Sequence, residues 1–150
     1  MMDVKAPRSR PAIDTAMLDT LFGYQLRRAQ ARTFADFMRT MTEDRITPAQ
    51  FGVLSLIDGN SGLNQSALAA ALGIERSTMV AVISALEERQ LVIRGESITD
   101  KRSYALSLTP QGEDILAQIR GKVDGHEKSI TARLDDAEKA LLRELLKKIG

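Results

Sequence analysis

The sequence predicts a mainly α-helical fold with a small β-hairpin. Over most of its 150 residues, apolar side chains recur at the three- and four-residue spacing of one helix face. Near residues 91–108 the spacing changes to the alternation that is typical of strands. With 43% hydrophobic and 27% charged residues, the composition is that of an ordinary globular domain. We therefore expect one domain with one hydrophobic core.

Two helices are predicted in the first 60 residues. Residues 12–41 carry one apolar stripe, which includes Leu18, Phe22 and Leu26. Thr47 followed by Pro48 is typical of a helix cap with a proline in the first turn. This second helix reaches about Leu56, and the turn-forming residues 58–62 end it.

The next segment predicts two short helices joined by a tight turn. Asn64 can cap the first helix, and Gly73 can adopt the left-handed conformation that ends it. The second helix begins near Glu75. The apolar stripes of the two helices are Ala67, Leu68, Ala71 and Leu72, then Met79, Val82, Ile83 and Leu86. Two short helices around a glycine turn form a helix-turn-helix.

A hairpin follows this motif directly. Residues 91–96 are β-prone, residues 97–102 are polar, and Tyr104, Leu106 and Leu108 alternate with smaller side chains. We expect these three to share one buried face. A helix-turn-helix followed by a hairpin is the order of elements in a winged helix-turn-helix.

Two further helices complete the predicted fold. Thr109 and Pro110 begin a helix that runs to about Leu134, and Asp135 with Glu138 forms a capping box for the last one. On the longer helix, Gly121 and Gly125 suggest a close approach of another helix or a mild kink.

The terminal helices carry larger apolar stripes than one small lobe needs, and we therefore expect a homodimer. The stripes are Leu18, Leu21 and Phe22 at one end and Leu141, Leu142, Leu145 and Leu146 at the other. The predicted organisation is a single domain over 1–150. Residues 12–45 and 110–150 would form the dimerisation helices, and residues 46–109 the winged lobe.

Several classes of function are disfavoured. With no cysteine and one histidine, His126, the chain offers no thiol chemistry, no cysteine-bound zinc and no catalytic constellation. We expect no enzyme activity, no metal and no cofactor. No apolar stretch approaches the roughly 20 residues of a membrane span, and no hydrophobic segment follows the basic start as in a signal peptide. We expect a cytoplasmic protein without a membrane partner.

Three segments resemble the MarR family of bacterial regulators: ITPAQFGVLSLI, LAAALGIERSTMVAVISALEERQLV and DKRSYALSLTPQG. The second is similar to the start of that family's recognition helix, Leu-Gly-x-x-Arg-Ser-Thr. The third is similar to its wing signature, Asp-x-Arg followed by Leu-Thr-x-x-Gly. This chain departs from the family pattern at Gln90, where glycine is frequent, at the cap Glu75, and at Val80 and Ala81. The resemblance implies a dimeric DNA-binding regulator, more commonly a repressor.

Candidate DNA contacts follow from the helix-turn-helix. Arg76, Ser77 and Thr78 occupy the first turn of its second helix, which meets base edges when such a helix enters the major groove. Val80 could contact a thymine methyl group. At the start of the preceding helix, Gln65 and Ser66 are candidates for holding phosphates. Alternatively, Arg76 is a solvated surface residue, and Ser77 and Thr78 are only capping groups.

The hairpin tip adds further candidates. Arg102 is the candidate for the minor groove, where negative potential attracts an inserted arginine. Asp100 would orient Arg102 by bonding within the hairpin, while Lys101 and Arg94 would contact phosphates. The alternative is a tip that is charged for solubility alone.

The resemblance also implies a small-molecule effector, for which Tyr24, Arg28, Arg32 and Phe51 are the candidate contacts. Many resembling proteins sense aromatic acids, phenols or CoA thioesters, and residues 23–28 resemble regulators of hydroxycinnamate breakdown. Guanidinium groups match carboxylate and phosphate geometry. For the arginines, salt bridges across the dimer or a solvated face remain alternatives; for Phe51, the alternative is packing in the core or in the dimer.

Together these features favour a homodimer that binds a palindromic operator in double-stranded DNA and leaves it when an anionic aromatic ligand or its CoA thioester binds. Residues 63–109 contain five basic and five acidic residues, so the charge of this segment alone does not indicate DNA binding. A winged-helix protein-interaction module that does not bind DNA therefore stays open as the alternative.

Overall fold

The computed structural model describes residues 13–96 and 104–149. Within these ranges the elements are α1 (Ala16–Asp19), α2 (Phe22–Thr40), α3 (Pro48–Gly59), α4 (Gln65–Leu72), α5 (Arg76–Glu88), β1 (Val92–Glu96), β2 (Tyr104–Leu108), α6 (Pro110–Ile130) and α7 (Asp136–Leu146). The strands are antiparallel, with Val92 opposite Leu108 and Glu96 opposite Tyr104. The predicted mainly helical fold with one hairpin is confirmed. The chain divides into two compact units, Met1–Arg32 and Thr33–Gly150, each defined by the contacts among its own residues.

In the first unit, the helix predicted over residues 12–41 is interrupted. Its described part consists of α1 and the start of α2, separated at Thr20 and Leu21. The Thr20 hydroxyl donates to the Met17 carbonyl (2.7 Å), and the side-chain Nε2 of Gln25 donates to the Asp19 carbonyl (2.9 Å). Side chains that bond nearby carbonyls offer the backbone an alternative to the helical ladder. The prediction of one uninterrupted helix was wrong for this reason.

The second unit holds the hydrophobic core. Its buried side chains come from the end of α2, from α3 to α6, from both strands and from the segments that connect these elements. The largest of the fully buried ones are Met41, Ile46, Leu54, Leu68, Met79, Ile83, Leu86, Leu91, Leu116 and Ile119. Because α5 contributes Met79, Ile83 and Leu86, its opposite side faces outward.

The two short helices follow the predicted boundaries. The Asn64 side chain accepts a hydrogen bond from the Ala67 amide (2.9 Å), and Gly73 has a φ of +61°. The predicted stripe of α4 was wrong in part, since Ala67 and Ala71 are exposed while Leu68 and Ala69 are buried. Alanine side chains are too small to indicate which face of a helix packs inward.

The end of α5 and the start of α6 come very close together. The Thr109 hydroxyl donates to the Gln90 carbonyl (2.6 Å) and accepts from the Gly112 amide (3.0 Å). The Thr109 amide donates to the Leu91 carbonyl (3.1 Å). Gln90 has a φ of +56°, so this chain tolerates at that position a conformation that favours glycine.

No other element in the described part of this chain approaches Gly121 or Gly125, the glycines predicted to allow a close helix approach or a mild kink. A Cβ atom at either position would meet no atom of residues 13–96 or 104–149 within 4 Å. The histidine beside them is buried, and its Nδ1 lies 2.8 Å from an Asp36 carboxylate oxygen on α2. His126 therefore joins α6 to the end of α2.

The last helix leaves an apolar face uncovered. α6 ends at Ile130, a few residues before the predicted Leu134, and the predicted capping box of Asp135 and Glu138 starts α7. α7 has no buried residue, and its leucines are 42–59% exposed.

Among the described residues, no single helix is long and apolar enough to cross a membrane. Within residues 13–96 and 104–149, one pair of helices, α4 and α5, meets that criterion of length and composition together, but the pair is bent by 114°.

Candidate nucleic-acid interface

An open groove of about 280 Å³ lies between the start of α4, α5 and the hairpin. Its lining residues are Asn64, Gln65, Ser66, Arg76, Ile83, Arg94, Tyr104 and Leu106. Four of the predicted DNA contacts, Gln65, Ser66, Arg76 and Arg94, thus lie along one concave surface although they come from three elements.

The first turn of α5 projects away from the core. Arg76, Ser77 and Thr78 are exposed, and Val80 is 45% exposed. The cap residue Glu75 makes no side-chain hydrogen bond to this turn. The first amides of a helix have no partner within the helix and carry partial positive charge. This end of α5 can therefore offer amide, hydroxyl and guanidinium donors to base edges or phosphates.

At the start of α4, Gln65 is half-buried and Ser66 is exposed. The backbone amides of Gln65 and Ser66 belong to the first turn of α4. The side-chain oxygen of Asn64 accepts a hydrogen bond from the Ala67 amide of the same turn. This arrangement orients the first turn of α4 toward the same groove as Arg76.

Arg94 on β1 is held by an acidic residue of α5. Its Nε and Nη2 donate to the two carboxylate oxygens of Glu87, at 2.8 and 2.9 Å. The hydrogen bond to Glu87 raises the pKa of Arg94 above its ordinary value. A guanidinium has five N–H donors, so Arg94 can contact a phosphate while it remains paired with Glu87.

The predicted wing residues Asp100, Lys101 and Arg102 lie outside the described residues, and their roles stay predictions. The last described pair of the two flanking strands is Glu96 with Tyr104.

Tyr104 differs from its sequence prediction. It was expected on the buried face with Leu106 and Leu108, but it is 62% exposed and lines the groove. Strand alternation predicts on which side of the sheet a side chain lies, whereas the extent of the core beneath that side decides whether the side chain is buried.

Asn64 was predicted only as a cap, and it too lines the groove.

Two of the four candidate effector contacts lie together in the first unit. Arg28 is ion-paired with Asp19 (Nη1 to Oδ1, 2.9 Å), and its guanidinium lies 5.8 Å from the centre of the Tyr24 ring. Arg32 is exposed one turn further along α2. In the second unit, Phe51 packs against the core and lies 6.2 Å from Phe37, measured between ring centres.

The helix-turn-helix, the hairpin and the polar groove define the class of winged-helix DNA-binding proteins. A family model described as the MarR family matches residues 46–103. A transcriptional regulatory protein for the hcr operon of Thauera aromatica is 44% identical over 128 residues, which are 85% of this chain and 77% of that protein. This chain belongs to the MarR family, and it is a transcriptional regulator rather than an enzyme.

Solved structures agree with this assignment. The transcriptional repressor CouR bound to a 23-mer DNA duplex is 40% identical, with a TM-score of 0.83 over 91% of this chain and 97% of that one. CouR bound to p-coumaroyl-CoA is 39% identical, with a TM-score of 0.83 over 91% and 96% of the two chains.

Proposed function

We propose that this protein is a homodimeric cytoplasmic repressor that binds a palindromic operator and leaves it when an anionic aromatic ligand or its CoA thioester binds. The observation that carries the DNA-binding part is the groove that gathers Gln65, Ser66, Arg76 and Arg94 beside the exposed first turn of α5. The similarity to CouR, which has been solved with DNA and with p-coumaroyl-CoA, supports both parts.

In this proposal, residues 12–45 and 110–150 form the dimer and residues 46–109 bind DNA. Two-fold symmetry presents one α5 helix to each half-site, about one DNA turn apart. Arg76, Ser77, Thr78 and Val80 read bases, while Gln65, Ser66, Arg94 and Lys101 hold phosphates. Arg102, oriented by Asp100, enters the minor groove.

Two arginine variants separate these kinds of contact. Arg102→Ala should weaken binding to every sequence and reduce the slope of log affinity against log salt by about one, as the loss of one phosphate-type contact does. Arg76→Ala should cost roughly 1–3 kcal/mol at one base position and relax the preference there. Fluorescence anisotropy on operator variants, with DNA from upstream of the gene as the starting duplex, measures both effects.

Arg120→Ala is the matched control, because Arg120 is an exposed arginine on α6 that pairs with Asp58 and does not line the groove. It should leave affinity and salt dependence unchanged. Equal effects of Arg76→Ala and Arg102→Ala would show that their roles are wrongly assigned. Undetectable binding of the wild type to upstream DNA would favour a protein-interaction module.

The effector part of the proposal rests on Arg28. Its guanidinium is paired with the Asp19 carboxylate and lies beside the Tyr24 ring. A carboxylate and an aromatic ring are also the two groups that an aromatic acid would offer. Exposed ion pairs contribute only about 0–1 kcal/mol, so a ligand carboxylate or phosphate can replace Asp19 at little cost. In our proposal, Arg32 belongs to the same site one turn further along α2, and Phe51 of the second unit is a separate candidate effector contact. The effector binds preferentially to a conformation of the dimer that fits the operator poorly, and the DNA is therefore released.

Arg28→Ala should reduce the affinity for the effector about tenfold or more while DNA affinity without effector stays nearly unchanged. The reason is the loss of a charge-assisted hydrogen bond, which contributes about 1.5–3 kcal/mol. Calorimetry with an aromatic acid and its CoA thioester measures the change. Arg27→Ala, its exposed neighbour on α2, is the control and should bind as the wild type does. Undiminished binding by Arg28→Ala would remove Arg28 from the site, and lost dimerisation would instead support a salt bridge between subunits.

A further inference from the structure

The loop between α2 and α3 contains a buried carboxylate. Met41 and Ile46, near its two ends, are almost completely buried, and the Asp44 side chain is only 2% exposed. A buried charge is costly unless it is paired and hydrogen-bonded. The partners of the Asp44 carboxylate therefore indicate which elements this loop connects.

Two residues of α6 bind the Asp44 carboxylate. Lys122 Nζ lies 2.7 Å from Oδ2, and Gln118 Nε2 donates to Oδ1 at 3.0 Å. Gln118 and Lys122 are four residues apart and so lie on one face of α6. The hydrogen bond to Asp44 raises the pKa of Lys122 above its ordinary value. The loop is thereby fixed to α6.

The backbone of the same loop holds the end of α5. Arg89, the C-terminal cap of α5, donates from Nη2 to the Asp44 carbonyl (2.8 Å) and from Nη1 to the Arg45 carbonyl (2.7 Å). Arg45 has a φ of +53°, a strained conformation that persists where its surroundings determine it. This turn lets one guanidinium reach two successive carbonyls. Asp44, Arg89, Gln118 and Lys122 are called the Asp44 node below.

We propose that the Asp44 node sets the angle of the recognition helix α5 relative to α6, with Arg89 as its positioning residue. α5 has 13 residues, so it is roughly 20 Å long at about 1.5 Å per residue. A rotation of about 10° at Arg89 would therefore move the first turn of α5 by about 3 Å. Hydrogen bonds to bases tolerate only a few tenths of an ångström. Loss of the node thus misplaces Arg76 without removing any side chain proposed to contact DNA.

Arg89→Gln and Asp44→Asn test this inference, with Arg120→Gln as the matched control on α6. Arg120 pairs with Asp58 of α3 and has no bond to α5 or to the loop. Amide hydrogen exchange along α5 is the direct measurement. Affinity for palindromic duplexes whose half-site separation varies by one base pair is the functional one, and that measurement rests on the proposed dimer.

For Arg89→Gln we expect faster exchange in α5 and about tenfold weaker binding to the best duplex. The preference among half-site separations should flatten, while the salt slope stays unchanged because no phosphate contact is lost. Asp44→Asn keeps the loop carbonyls and the shape of the side chain but removes the charge, and it should show the same changes to a smaller degree. Arg120→Gln should match the wild type.

Unchanged exchange in α5 and an unchanged separation preference for Arg89→Gln would overturn the proposal. A salt slope lowered by about one would also overturn it, since Arg89 would then contact phosphate directly. If Arg89→Gln does not fold, Asp44→Asn decides by the same criteria. A wild type without any separation preference would contradict the symmetric dimer instead, and exchange in α5 would still decide the role of the node.

Discussion

Replacing Gly112 by alanine is expected to lower the free energy of unfolding by about 3 kcal/mol, the upper part of the range for overpacked sites. A Cβ atom at this position would overlap the Leu91 carbonyl oxygen and lie 3.0 Å from its carbon. The obstacle is backbone, and it is fixed by the bond from the Thr109 amide to the same carbonyl. No side-chain rotation can relieve the overlap, so the junction between α5 and α6 must open.

Gly121→Ala on the same helix is the control. A Cβ atom there meets no atom of the described residues within 4 Å, so the better helix propensity of alanine should raise the free energy of unfolding by up to about 1 kcal/mol. Urea denaturation at a fixed protein concentration measures both variants, since association would shift the midpoint. Two variants of similar stability would contradict the close approach at Gly112.

The helix boundaries that sequence could predict are those determined by local chemistry. Thr47, Asn64 and Asp135 each cap the helix expected of them, because a cap needs only amides two or three residues away. Gly73 ends α4 in the left-handed conformation for an equally local reason. The order of elements, and with it the fold class, follows from such signals.

Features that depend on distant residues were not predictable in the same way. The resemblance to the wing signature included Gly112, but only the structure relates this glycine to the Leu91 carbonyl. Asp44 gave no sequence signal, since its partners lie more than 70 positions along the chain. The pairing of Arg94 with Glu87 likewise depends on how β1 passes α5. Sequence identified candidate donors for the groove, whereas tertiary packing decides which acidic residues accompany them.

Leu142→Asp is expected to dissociate the proposed dimer. Leu142 belongs to the uncovered apolar face of α7 with Leu141, Leu145 and Leu146. Burying a leucine contributes about 1.5–3 kcal/mol, and two-fold symmetry places the substitution in the interface twice. The total loss of about 3–6 kcal/mol corresponds to a dimer roughly 10²–10⁴ times weaker. Sedimentation should show monomers at micromolar concentration, and affinity for the palindrome should fall because each monomer holds only one half-site.

Ala140→Asp is the matched control, since it places the same carboxylate on the opposite side of α7. Residue 140 is exposed and lies outside the leucine stripe. This variant should remain dimeric and bind the palindrome as the wild type does. A wild type that sediments as a folded monomer at micromolar concentration would contradict the dimer itself. Equal dissociation of the two variants would mean that added negative charge on α7, rather than the leucine face, controls association.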